Sequence, residues 1–423
     1  MQILKTALLV LLCHFGLAQN IDYARNQIDT LCSPAMHGRG YVQDGMKIAA
    51  DYIAVEFERL GLEKAAGNYL QEYTVPVNTF PGKMEVKLGK KELNPGEDFI
   101  VKPGSPRIEG SFKINYIDRD LFLDKEAFYK QISASKNKFI GVLPSKKEYG
   151  KEEKQEIEEG LDVLTYAADN PALGTLIFDD SKLTWHLSQK QFARPTLILK
   201  SGEDKPAKKV QLNIETKLME NYPVQNVIGY LQGTSDSVIL ISAHYDHLGR
   251  MGAETYFPGA NDNASGTALM LDLARHYAQL DTLPPYSFLF IAFGAEELGL
   301  LGSEYYTKNP RMPLGKIKFQ INLDICGTGD KGIQVVNGSV HQKRFDLLQE
   351  INKREAHMQQ VKIRGESCNS DHCWFHKNGV PAFFIYTLGG AGHYHDVHDI
   401  PENLTLGGYE GFFRLLVGFV EEL

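Results

Sequence analysis

An α/β fold, with a mostly parallel, mixed central sheet flanked by helices and a smaller inserted β-rich domain, is what this sequence predicts. Three observations carry that expectation. From Pro223 onward, runs apolar throughout (VQNVIGYLQ, SVILISA, SFLFIAF, KIKFQINL, PAFFIYT) alternate with helical stretches such as SGTALMLDLARHYAQL and HQKRFDLLQEINKREA. Strands buried on both faces and separated by helices make a parallel sheet covered on both sides. Between about Tyr69 and Glu220 the texture changes to short strand-like runs among lysine-rich loops. The whole chain of 423 residues is 43% hydrophobic and 23% charged, an ordinary globular balance.

Taken in order, MQILKTALLVLLCHFGLAQN reads as an export signal over residues 1–18. Lys5 supplies the positive start, Ala7 to Leu12 the apolar core, and Gly16-Leu17-Ala18 the small-residue cleavage site. The apolar stretch is short for a membrane span, and no other stretch is long and apolar enough to cross a bilayer. The expected product is exported, periplasmic or extracellular. Helices follow over Ile21 to Leu31 and Gly45 to Leu60, the second with apolar residues at helical spacing and Gly61 at its end. Residues 76–220 are expected to form the insertion, with strands FKINYI, KFIGVL, GTLIFDD and PTLILK and one charged helix near Glu152 to Ala168. Residues 20–75 and 221–423 then form the main domain, closed by a helix in NLTLGGYEGFFRLLVGFVEEL.

The net charge of -8 and the lack of a basic cluster interleaved with aromatics exclude nucleic acid as the expected partner. Beyond the signal, four cysteines remain. Cys368 and Cys373 in ESCNSDHCWF are close enough to bridge outside the cytoplasm, and the sequence leaves bridged and free states equally open.

In open α/β sheets ligands bind beyond the carboxyl ends of the strands. After SVILISA comes His244-Tyr245-Asp246, and Asp262 sits in the loop GANDNASG. After SFLFIAFGA come Glu296 and Glu297, after KIKFQINL comes Asp324, and after PAFFIYTLGGAG comes His393-Tyr394-His395. Each alone has an ordinary explanation: a structural histidine, a helix cap, two acids favoured by a helix dipole. Their coincidence on one rim does not, because convergent carboxylates need positive charge to hold them together. Imidazole plus carboxylate suits zinc best. Asp262, Glu297 and Asp324 carry three negative charges and neutral His244 and His395 none. One Zn²⁺ is overneutralised by that set, whereas two leave a single positive charge that a bridging hydroxide cancels.

His244-Tyr245-Asp246, GANDNASG, the Glu296-Glu297 doublet, INLDICG and YHDVHD together resemble the co-catalytic two-zinc exopeptidases of metallopeptidase family 28, of the secreted bacterial aminopeptidase type. The likeness covers about Ile21 to Leu62 and Pro223 to the C-terminus. It implies a zinc exopeptidase fold, with Asp262 bridging, His244 and Asp324 on one zinc, and Glu297 and His395 on the other. It further implies Glu296 as general base and Asp246 orienting His244 from behind. Glu297 then binds metal while Glu296 stays free to hold and return a proton. Tyr394 is a candidate donor to the oxyanion, or equally a packed aromatic on the wall. KFIGVL, GTLIFDD and PTLILKS resemble a protease-associated domain, from which the charged stretch KEYGKEEKQEIEE departs.

The expected function is hydrolysis of N-terminal residues from peptides with a free amine. A carboxypeptidase or dipeptidase of the same family would need a cationic side chain for the substrate carboxylate, for which Arg250 and Arg364 are candidates. A glutaminyl cyclase uses one zinc, and a binding protein on a dead peptidase fold would have lost ligands. His247, His372, His393 and His398 are expected to line the pocket or form hydrogen bonds, Asp371-His372 to form a pocket wall, and Asp399 to hold the His395 loop. Cys326 is expected as a buried small hydrophobe.

Overall fold

The computed structural model describes residues 21–201 and 207–423, so the export signal expected over residues 1–18 lies outside the described residues. The apolar runs form the middle of a nine-stranded sheet. Val238–His244 lies between Ser287–Phe293 and Ile317–Leu323, parallel to both, and Ala382–Thr387 extends the parallel set. Lys217–Leu231 flanks this set antiparallel on one side and Ile333–Val336 on the other, which makes the sheet mixed.

Side chains on Ser287–Phe293 alternate between two cores. Phe288, Phe290 and Ala292 enter one, and Leu289, Ile291 and Phe293 the other. Burial on both faces is why these runs show no polar alternation. Helices Ile21–Cys32, Gly45–Arg59, Ser265–Ala278, Gln342–Glu355 and Tyr409–Glu422 cover the first face through residues such as Ile28, Ile53, Leu269, Leu348 and Phe412. Shorter helices, Leu301–Lys308 and His372–Lys377, cover the second through Tyr306 and Phe375.

The structure departs from the sequence expectation in several places, among them a second helix in the insertion, Lys125–Ala134. Strands Ile333–Val336 and Val361–Ile363 are too short to carry a periodic signal and were not expected. The last helix begins at Tyr409 rather than near Asn403. There Gly408 passes so close to Gly329 that a Cβ on it would lie 2.6 Å from the Gly329 Cα, an approach only glycine allows.

A second, smaller sheet of eight strands occupies the interval from Met84 to Ile214. Its centre is parallel, Ile108–Asp118, Phe139–Leu143, Gly174–Phe178 and Thr196–Leu199, with helix Lys151–Tyr166 packed against it. The chain enters and leaves through one ribbon, Leu70–Thr79 paired antiparallel with Lys217–Leu231. The expected limits at residues 76 and 220 fall inside these two strands. The second sheet shares a core with the first part of the molecule. Trp185 stacks on Phe257 with ring centroids 4.8 Å apart, and Leu248 and Met251 join the same cluster.

Candidate metal centre

Most of the singled-out acids and histidines fall at the carboxyl ends of the parallel strands, and Asp262 lies in the turn that opens helix Ser265–Ala278. His244 ends one strand, Glu296 and Glu297 follow Ser287–Phe293, Asp324 follows Ile317–Leu323, and His395 lies on the loop after Ala382–Thr387. Three of these turns hold a non-glycine residue in the left-handed region: Ala295 (φ 56°), Ile325 (φ 58°) and His395 itself (φ 53°). Such conformations cost of order 1–3 kcal/mol each and persist where surrounding structure enforces them. The turns therefore reverse the chain at once and leave the acidic side chains on the rim.

The structure brings the expected residues together in two touching groups. His395 Nε2 lies 3.0 Å from Asp262 Oδ2 and 3.1 Å from Glu297 Oε2. His244 Nε2 lies 3.3 Å from Asp262 Oδ1 and 3.3 Å from Asp324 Oδ1. One carboxylate, Asp262, thus faces both histidines, one oxygen to each. Candidate ligand atoms of His247, Asp262, Glu297 and His395 all lie within 4.8 Å of one another, as do those of His244, Glu296 and Asp324.

The donor set fits cations. His395 Nδ1 is 2.9 Å from the Trp185 carbonyl, so that nitrogen carries a proton and the Nε2 lone pair is turned to two carboxylates. Without a cation only a second proton relieves this repulsion. Burial pulls the His395 pKa down, yet Glu297 and Asp262 outweigh it and raise it to about 11. His244 is raised well above its usual value against its own burial, by Glu296, Asp324 and Asp262. Burial, opposed by His244 and reinforced by Glu297, Asp371 and Asp324, holds Glu296 well above the usual carboxylate range. A metal held by such groups would supply the charge that protons otherwise must.

Support for these side chains comes from behind. Asp246 accepts the Glu296 and Glu297 amides at 3.1 and 3.3 Å and the Tyr41 hydroxyl at 3.1 Å. Its carboxylate is 3.8 Å from His244 Nδ1, which sits closer, at 3.2 Å, to the Asp246 carbonyl. Asp246 therefore fixes the glutamate turn more directly than the histidine. Asp399 accepts the Asn261 and Asp262 amides at 2.8 and 3.0 Å, so it holds the Asp262 loop rather than the His395 loop. A buried chain, Gln320 to Ser242 to Asn322 to Ser370, ends where the Ser370 hydroxyl donates to Asp324 Oδ2 at 2.8 Å.

Sequence reasoning missed two supports. Fully buried Arg39 donates to the carbonyls of Tyr245, Leu31, Pro258 and Gly259 at 2.6–2.9 Å, tying the first helix to both loops of the site. Its only sequence signal is the pair of glycines in HGRG. From the second sheet, the loop before Thr196–Leu199 grips the His395 loop. Trp185 receives the His395 imidazole proton and donates its own amide to the His395 carbonyl at 2.9 Å. Lys182 Nζ lies 2.7 Å from Asp396 and 3.0 Å from the Gly392 carbonyl.

The remaining histidines divide. His247 is buried, with Nδ1 2.9 Å from Glu297 Oε1, and belongs to the cluster as a neighbour of Glu297. His372 contacts the Ser367 carbonyl at 2.8 Å, His393 lies 3.5 Å from Asp396, and His398 3.2 Å from Glu97. None of these three lines the cleft. Asp371 is buried and accepts the Ser303 hydroxyl at 2.6 Å. Cys326 is buried in the main core, and Cys368 and Cys373 form a disulfide. Tyr394 stacks on His395, ring centroids 3.9 Å apart, and lines the cleft. That cleft holds about 210 Å³ and is walled by His244, Glu296, Asp324, Arg364, Asn369 and Tyr386 among others. Arg250 lies elsewhere, its Nε 3.2 Å from His37.

Residues 226–420 match the family model described as Peptidase family M28. Over 217 residues the chain is 31% identical to aminopeptidase YwaD of Bacillus subtilis strain 168, across 48% of this chain and 45% of that protein. It is 27% identical over 253 residues to a probable leucine aminopeptidase of Arthroderma otae, across 57% and 65% of the two chains. The chain thus spans about half to two thirds of the length of these curated relatives. Among solved structures, a zinc aminopeptidase from Bacillus subtilis superposes with a TM-score of 0.70 at 21% identity, covering 96% of both chains. An aminopeptidase from Aneurinibacillus sp. strain AM-1 gives 0.62 at 18% identity over 96% and 94%. At those identities the likeness is one of fold, and it extends across the second sheet. Residues 226–420, a little under half of the chain, thus match peptidase family M28, and the chain as a whole shares the fold of these aminopeptidase structures.

Proposed function

We propose that this chain is a zinc-dependent aminopeptidase that removes N-terminal residues from peptides, acting outside the cytoplasm. The observation that carries the reading is Asp262, whose two oxygens face two separate histidine-carboxylate groups. The curated relatives described above are aminopeptidases, and the Bacillus subtilis structure is of a zinc enzyme. In this reading His244 and Asp324 hold one Zn²⁺, Glu297 and His395 the other, and Asp262 both. Two zinc ions so placed supply Lewis acidity to the scissile carbonyl and lower the pKa of an attacking water.

The chain's own residues do the rest. Glu296 makes no side-chain hydrogen bond or ion pair among the described residues, so it is free to take the water's proton and return it to the leaving amine. The four-carboxylate rim favours a protonated substrate amine. Tyr394, beside His395 on the cleft wall, is placed to donate to the oxyanion. Asp246 keeps both glutamates in register through their amides. The second sheet, read as a protease-associated-like domain, braces the His395 loop. Export rests on the signal-like residues 1–18; among the described residues no helix is long and apolar enough to cross a membrane.

The test is release of amino acids from paired free and N-acetylated peptides by the wild type and by Glu296→Ala. Cleavage of free peptides only, lost in the variant while bound zinc is kept, is expected. Equal cleavage of acetylated peptides would sink the aminopeptidase assignment.

A further inference from the structure

Arg364 is the one side chain on the cleft wall with a permanent positive charge. The same wall carries Asp262, Glu296, Glu297 and Asp324. A guanidinium placed there to neutralise these acids would pair with them, and it does not. Among the described residues Arg364 makes no ion pair, and its one side-chain hydrogen bond is a long one, 3.4 Å, to the Tyr386 hydroxyl. Its backbone is fixed nevertheless. The Arg364 amide donates to the Val335 carbonyl at 2.9 Å, and its carbonyl accepts from the Ser339 amide at 3.3 Å. The residue is a charged fork just beyond the edge strand Val361–Ile363, open to solvent and turned to the acid-lined cleft.

The cleft is also small. Its volume of about 210 Å³ falls below the ~300 Å³ at which sites for drug-sized ligands begin. Two extended residues span only about 7 Å. A substrate whose amine meets the carboxylate rim therefore brings its second residue within the confines of the same cleft. An unpaired guanidinium suits a carboxylate there, through two parallel N–H···O bonds.

Resting on the aminopeptidase reading, we infer that Arg364 is a specificity residue that binds a carboxylate on the residue following the scissile bond. Short peptides, dipeptides above all, are thereby the favoured substrates. The C-terminus of a dipeptide is the general source of that carboxylate. An acidic side chain at the second position is the other source with the same chemistry.

Two substrate pairs separate the sources: Leu-Gly against Leu-Gly-amide, and Leu-Glu-amide against Leu-Gln-amide, with kcat/KM measured for the wild type, Arg364→Gln and Arg364→Lys. The wild type is expected to favour the free acid over the amide by about 10- to 100-fold, the usual range for a charged hydrogen-bonded pair. Arg364→Gln brings that ratio near one and Arg364→Lys leaves it between. A preference confined to the second pair, again lost in Arg364→Gln, assigns the carboxylate to an acidic side chain. A ratio near one in both pairs for the wild type, or a preference surviving Arg364→Gln, overturns the inference. Hydrolysis of none of the four would instead fail the aminopeptidase reading, so the two failures are distinguishable.

Discussion

The two sheets of this molecule are built alike at their centres, parallel strands under helices, yet they serve the site in different ways. The larger sheet delivers side chains. Four of its strands end in His244, Glu296-Glu297, Asp324 and the His395 loop, and each turn sets a carboxylate or imidazole on the rim. The smaller sheet delivers almost no chemistry of its own. It contributes the Trp185 carbonyl and amide, Lys182 and the His186 imidazole, all directed at the His395 loop, and Gln189, which donates to the Leu298 carbonyl beside Glu297. One region makes the site, and the other braces two of its turns, at His395 and beside Glu297.

The largest expected effects come from the first region. Asp262→Ala removes the carboxylate common to both groups, and activity is expected to fall by more than about 10⁴-fold, beyond what loss of a single acid or base produces. Glu296→Ala is expected to lose about 10²–10⁴-fold in kcat with zinc content unchanged. If Glu296→Ala instead loses zinc, the division of labour between the paired glutamates is wrong.

Next is Arg39, which belongs to neither set of ligands. Arg39→Ala takes the donor from the buried carbonyls of Tyr245, Leu31 and Pro258, while Gly259 keeps the Ala264 amide, and the expected loss is at least about 3 kcal/mol in urea unfolding. A loss under 1 kcal/mol would mean water replaces the guanidinium.

The second region predicts smaller effects. Lys182→Ala frees Asp396 and the Gly392 carbonyl, and zinc affinity at the His395 position is expected to weaken about 10-fold, as when a partner behind a ligand is removed. Lys182→Arg should restore most of it. No change in either variant would reduce the second sheet to a bystander. The smallest effect is on pH. Burial pushes the Asp396 pKa up, but Lys182 and the His398 amide outweigh it and hold it below the ordinary value. A lowered folded-state pKa stabilises above the unfolded pKa of about 3.9 and is lost as pH falls through the folded value. The Lys182→Ala stability deficit should therefore be full at neutral pH and shrink below about pH 4.

The same contrast explains what the sequence made legible. Strands buried on both faces read as unbroken apolar runs, so their ends, and the acids and histidines placed there, stood out without coordinates. The roles of Trp185 and Arg39 were hidden because the first acts through its own main chain and the second on main-chain carbonyls, and a carbonyl leaves no mark on residue identity. Asp399 was placed near the right loop and given the wrong neighbour, since only the fold shows that its carboxylate receives the Asp262 amide. The polar chain from Gln320 to Asp324 did leave a trace, because positions 320, 322 and 324 share one face of a strand, but inside an apolar run it reads as noise. Arg364 stood among the candidates, and only the cleft separates it from Arg250.

The central claim is that one carboxylate joins two metal positions. Zinc bound per chain at equilibrium, measured by metal analysis and calorimetric titration on the wild type and on Asp262→Ala, tests it most directly. Two equivalents in the wild type and a loss of affinity at both positions in the variant are predicted. A single equivalent in the wild type, or a variant that loses only one of two ions, would contradict it.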